Sequence, residues 1–161
     1  MKKIIFYDLE TTGRSAHWDQ IVQIAAICTD EDFKILDKIN LTGRLNSFSV
    51  PDPEALLVNR IPIEKIYKSN LSNYGLVSEV YNKFNDWSPA IFIGYNSIAF
   101  DEEVLRNAFF KNLYDPYLTV KNNNIRLDLL DITRIANFFY PDKIKSLLNK
   151  KGSSILKLES I

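Results

Sequence analysis

Two carboxylates near the start of the chain, Asp8 and Glu10, have the type and spacing to hold a hard divalent cation. On a β-strand, residues two apart project from the same face, so both can reach one point. Mg²⁺ takes oxygen ligands and is commonly held by one or two carboxylates together with a substrate phosphate. The spacing alone says little. With 12 Asp and 8 Glu in 161 residues, chance supplies about 0.6 Asp-x-Glu triplets, and Asp101-Glu102-Glu103 is another. Position separates the first pair, because it ends the apolar run KIIFYDL, where a solvated acidic face is not expected. The plain alternative is two exposed acids at a strand end.

Asp101 is the third candidate. Its helical neighbours at i+3, i+4 and i+7 are Val104, Leu105 and Ala108, which place it on the inward stripe. An inward carboxylate needs a partner, and a cation shared with Asp8 would be one. The ordinary reading, an acid favoured by the helix dipole in the first turn, suits Glu102 and Glu103 better. His17 is the only histidine, the residue type most often used as a general base. It lies beside Trp18 in a polar loop without a ligand pattern and reads as an exposed loop residue. Tyr95, Tyr114, Tyr117 and Trp87 offer faces on which single-stranded bases would stack, although most aromatics are expected in the core.

The elements that must position these residues follow from the hydrophobic pattern. Residues 3–9 read as a buried strand, followed by the polar loop TTGRSAHWDQ and two more strands near 21–29 and 33–42, separated by Asp30-Glu31-Asp32. Two antiparallel neighbours of the first strand are the natural arrangement. The proline-containing stretch 46–72 reads as loops around short helical turns, and 73–87 as an amphipathic helix through Leu76, Val77, Val80, Phe84 and Trp87. AIFIGY after Pro89 predicts a fourth strand, Asn96-Ser97 a helix cap, and 99–112 a strong helix. RLDLLD at 126–131 predicts a short strand running into a helix that ends near Tyr140, and SILKLESI at 154–161 a helical fragment. Strands alternating with helices predict a layered α/β fold with a mixed sheet.

The chain is long enough for one domain with a single core, and no stretch approaches the roughly 20 apolar residues that cross a bilayer. The N-terminus starts like a signal peptide but meets Asp8 and Glu10 first. One cysteine, Cys28, excludes an internal disulfide, fits a reducing cytoplasm and sits in the apolar run IVQIAAIC as a core residue. Twenty basic and twenty acidic residues give zero net charge. That argues against a passive nucleic-acid binder, which usually carries a basic surplus.

With these residues in hand, YDLETTG at 7–13 resembles the first motif of the DnaQ-like, or DEDD, 3′–5′ exonucleases. GYNSIAFDEEVLRNAFFKNLYDPY at 94–117 resembles the second, in a form that sets one branch of the family apart from the proofreading subunit and from oligoribonuclease. RLDLLDITRIANFFYPD at 126–142 and SILKLESI are also similar to that branch.

The resemblance implies a ribonuclease-H-like three-layer fold, with a mixed five-stranded sheet flanked by helices. It further implies hydrolysis of single-stranded DNA from its 3′ end with two Mg²⁺ ions, Mn²⁺ being an alternative, about 3.5–4 Å apart. Asp8, Glu10 and Asp101 would be catalytic metal ligands, three of the family's four acids. Thr11, Thr12 and Asn96 would line the 3′-terminal nucleotide. The implied partners are the DNA 3′ end and a single-stranded-DNA-binding protein.

The family's third motif, a histidine base followed by a fourth aspartate, has no match here, and His17 does not replace it. Residues 1–161 are therefore expected to be a C-terminally incomplete exonuclease domain with little activity alone. Two other readings stay open: a non-catalytic binding module on a degenerate nuclease fold, and a short-RNA 3′–5′ exonuclease.

Overall fold

The computed structural model describes residues 2–141 and two short backbone pairs, Leu147–Leu148 and Ser154–Ile155. Three strands, β1 (Lys3–Thr11), β2 (Ile21–Thr29) and β3 (Ile35–Thr42), form an antiparallel meander. Helices α1 (Pro53–Asn59), α2 (Ile63–Tyr67) and α3 (Asn73–Trp87) follow. Next come β4 (Ala90–Gly94), α4 (Asp101–Lys111), β5 (Ile125–Asp128) and α5 (Leu129–Phe139). The sheet order is β3-β2-β1-β4-β5, with β4 parallel to β1 and β5 parallel to β4. The mixed five-stranded sheet is as expected.

Alternation along β1 divides its work. Ile5, Tyr7, Leu9 and Thr11 are buried, while Asp8 is exposed and Glu10 half-buried on the opposite face. The buried face meets α3, through Leu76, Val77, Val80, Phe84 and Trp87, and α4, through Val104, Leu105 and Phe109. Tyr7, Phe84 and Phe92 meet edge to face in this core. Cys28 is buried in it as predicted. Ser72 caps α3, its hydroxyl accepting from the Gly75 amide at 3.0 Å.

Beside Glu10 the β1–β2 ladder slips by one residue, so that Ile21 and Val22 together oppose Thr11. Val22 packs into a second cluster with Leu45, Ile61 and Ile66. Such bulges re-aim side chains and end pairing.

Other boundaries differ from expectation. Helix α4 starts at Asp101, and Asn96 with φ 58° stands in a turn before it, so Asn96-Ser97 is not its cap. Asp128 organises that turn instead, its carboxylate accepting from the amides of Asn96, Ile98 and Leu130 at 2.8, 3.1 and 2.9 Å. Helix α5 buries none of its residues and exposes Ile132, Ile135, Phe138 and Phe139. Ser154–Ile155 pairs with Leu147–Leu148 as a strand and not as the start of a helix; the rest of the predicted helical fragment lies outside the described residues.

Candidate active site

The parallel ladder between β1 and β4 stops at Phe6–Ile93. Beyond it that edge of β1 has no strand partner among the described residues, which opens a crevice at the carboxyl ends of parallel strands, where open α/β sheets commonly bind ligands. The amide of Leu9, left over by the ladder, donates to Oδ1 of Asp101 at 3.2 Å. This one bond brings the first turn of α4 to the strand between Asp8 and Glu10. Gly94 permits the approach: a Cβ there would stand 2.5 Å from Cβ of Ser97 and 3.2 Å from the carbonyl oxygen of Tyr7.

Glu10 and Asp101 each feel the charge of Asp8. Burial, then the charge of Asp8, pushes the Asp101 carboxyl up to about 7. The same two causes, in the same order, push Glu10 up to about 7. Asp8 reaches solvent, yet the crevice walls strip enough of its hydration to move it upward as well. Among the described residues no three or more His, Cys, Asp or Glu side chains are grouped so as to hold a metal ion by themselves. Asp8 lies within electrostatic reach of both Glu10 and Asp101. A donor set made only of carboxylate oxygens, carrying repulsion that a cation would relieve, fits hard ions such as Mg²⁺ or Mn²⁺.

The three predicted nucleotide-lining residues fare differently. Asn96 is exposed, with its backbone held by Asp128. Thr11 borders a cavity of about 210 Å³ together with Glu10, Arg14, Val58, Asn59 and Phe100. Its hydroxyl donates to the carbonyl of Gly13 at 2.5 Å. Thr12 is fully buried, donating to Asp19 at 2.7 Å and accepting from the Gln20 amide at 2.9 Å, so its side chain braces the loop. Gly13 completes that brace, since a Cβ there would lie 2.5 Å from Oδ2 of Asp19.

His17 is exposed, and its Nδ1 contacts Oδ1 of Asn107 at 2.9 Å while its carbonyl accepts from Lys111. Those partners lie about 9 and 15 Å along α4 from Asp101 at 1.5 Å per residue. The ring is not at the carboxylates. A larger hollow of about 640 Å³ beside His17 and Trp18 contains none of the three acids.

Of the aromatic candidates, Trp87 is a core residue whose indole donates to Asp37 at 3.1 Å. Tyr114 stacks on Tyr81 and donates to Ser78. Tyr117 is exposed, with Arg106 and Lys121 over its ring at 5.3 and 5.6 Å.

Glu102 stands in the first turn of α4 as expected, but it does not face solvent. It is buried, while Glu103 behaves as expected and pairs with Arg106 at 2.9 Å. Burial of Glu102 depends on Thr119 and Arg126, far along the chain, which no local periodicity reveals. Asp128 was likewise not singled out. Its cue was a helix-capping acid at the end of a predicted strand.

The family model for exonucleases matches residues 5–154, so the chain belongs to the exonuclease family. Within it, the relatives this chain is similar to include exodeoxyribonuclease I of Buchnera aphidicola from Schizaphis graminum. The two are 33% identical over 159 residues, 98% of this chain and 33% of that protein. Among solved structures, E. coli exonuclease I in complex with a dT13 oligonucleotide superposes with a TM-score of 0.87 at 28% identity, covering 98% of this chain and 34% of that one. An ExoI/SSB-Ct complex matches equally, with a TM-score of 0.87, 28% identity and the same coverage, 98% and 34%. The chain spans about a third of the length of these relatives. The fold is the ribonuclease-H-like exonuclease fold.

Proposed function

We propose that this chain carries the carboxylate site of a divalent-metal-dependent 3′–5′ exodeoxyribonuclease that acts on single-stranded DNA. The observation that carries the reading is the bond from the Leu9 amide to Asp101, which brings the α4 acid to the strand between Asp8 and Glu10. Exonuclease-family membership and the likeness to a structure holding dT13 support it.

Asp8, Glu10 and Asp101 would hold Mg²⁺ or Mn²⁺. When bound, such ions would supply Lewis-acid stabilisation of the phosphodiester and of the leaving 3′ oxygen, and a water of lowered pKa. The chain's own residues supply the frame. Asp101 is oriented by β1, Asn96 would reach the nucleotide with its side chain, and Thr11 with Phe100 bounds the cavity that would take the terminal nucleoside. Thr12 holds the loop that carries Thr11. No imidazole serves as base, because the only histidine is tied to the far part of α4. Turnover by this chain should therefore lie about 10²–10⁴-fold below that of a site with a positioned base. A single-stranded-DNA-binding protein is the proposed protein partner, on the likeness to the ExoI/SSB-Ct complex.

The test is release of mononucleotides from 5′-labelled single-stranded DNA by the purified chain with Mn²⁺ or Mg²⁺, beside Asp8→Ala and Asp101→Ala. Slow, metal-dependent shortening from the 3′ end, lost in both variants, is expected. Metal-independent shortening, or variants as active as the parent, would overturn the reading. A chain that binds DNA without metal, indifferent to both substitutions, would instead be a binding module. The same oligonucleotide as RNA tests the short-RNA alternative through the 2′-hydroxyl.

A further inference from the structure

We propose that Glu102 is a positioning residue, clamping α4 to β1 so that Asp101 and Asp8 face each other across the crevice. The inference rests on the reading that these two acids hold a divalent cation. Glu102 is 2% exposed, and every oxygen of its carboxylate is engaged. Oε1 accepts from the Tyr7 hydroxyl at 2.6 Å, and Oε2 from Thr119 Oγ1 at 2.7 Å and Arg126 Nη1 at 3.2 Å.

A buried ionic cluster is a poor way to gain stability, since apolar residues of similar volume often do as well or better. Its placement gives it another use. Tyr7 immediately precedes Asp8, and Glu102 immediately follows Asp101. The first turn of α4 is thus bonded to β1 at two points, Tyr7 to Glu102 on the core side and Leu9 to Asp101 at the edge, with Asp8 between them in sequence.

This is where a clamp is needed. The β1–β4 ladder has ended at Phe6–Ile93, so no backbone pairing fixes the distance from β1 to the segment that follows β4. Thr119 and Arg126, from the turn before β5 and from β5 itself, hold the other oxygen and so keep Oε1 aimed at Tyr7. Arg126 also offsets the charge, at 3.2 Å.

The experiment titrates the purified chain with Mn²⁺, following free ion by electron paramagnetic resonance, and records thermal unfolding of the same samples. The variants are Tyr7→Phe, Glu102→Gln and both together, with Glu103→Gln, Asp8→Asn and Asp101→Asn as controls. Tyr7→Phe and Glu102→Gln should each weaken Mn²⁺ binding about tenfold, the usual scale for a residue that orients a ligand. The double variant should lose little more than either alone, and Glu103→Gln should bind like the parent. Should Glu102→Gln fail to fold, Tyr7→Phe decides alone, because it removes one hydroxyl and leaves Thr119 and Arg126 in place.

Lower melting temperatures with unchanged Mn²⁺ affinity in both clamp variants, while the two aspartate variants lose binding, would make the cluster merely structural and overturn the inference alone. Parent-like binding in Asp8→Asn and Asp101→Asn would instead overturn the metal-site reading beneath it.

Discussion

Glu10 and Asp101 both have carboxyls raised to about 7, first by burial and then by the charge of Asp8. A carboxyl raised on folding binds protons that the unfolded chain lacks between its ordinary range near 4 and about 7. In that window the native state holds more protons, so metal-free stability is full below the unfolded value and falls as pH rises through 7. Asp37 and Asp115, lowered chiefly by hydrogen bonds from Lys83 and Lys121, act the opposite way, but their support is lost only as pH falls below the ordinary range. Urea denaturation in chelator at about pH 5, inside this window, and at about pH 8, above it, should show the chain less stable at the higher value, and Glu10→Gln should flatten the difference. Equal midpoints at both pH values in the parent would contradict the crowding. Divalent binding should strengthen over the same interval, because the ligands must lose their protons first.

At the scale of elements, legibility in the sequence tracks how local each cause is. The two-residue spacing of Asp8 and Glu10 put both on one face, and the i+3, i+4 neighbours of Asp101 turned it inward, because strand and helix periodicity act within a few residues. Glu102 could not be read so, since its donors Tyr7, Thr119 and Arg126 come from three other elements. Thr12 was hidden for the same reason: Asp19 and Gln20 fold back onto it around the loop. The displaced start of α4 has its cause in Asp128, which gathers the amides of Asn96 and Ile98 into a turn and caps α5 through Leu130. Asp128→Ala should therefore cost about 2 kcal/mol in chemical denaturation, combining a lost cap with part-buried amides left without their acceptor. It should also broaden or shift the Asn96 and Ile98 amide resonances while those of α3 stay in place. A stability within error of the parent would show that the turn holds without its acid.

At the scale of the molecule, twenty positive and twenty negative charges cancel, so no overall field draws a nucleic acid in. Phosphate must be met locally, and the crevice acids would make that possible only through cations held between them. Ions that bind the native chain and not the unfolded one stabilise it by mass action, about 2.7 kcal/mol when their concentration is 100 times the dissociation constant. For a domain of this size that corresponds to a melting temperature raised by roughly 5–10 °C. The rise should follow the divalent concentration, should not be reproduced by monovalent salt of equal ionic strength, and should vanish in Asp8→Asn and Asp101→Asn. DNA affinity should move in step, with single-stranded oligonucleotide retained in Mg²⁺ and released by chelator. A melting temperature indifferent to Mg²⁺, alongside DNA binding that responds only to monovalent salt, would mean that lysines and arginines, and not the crevice, carry the contact with nucleic acid.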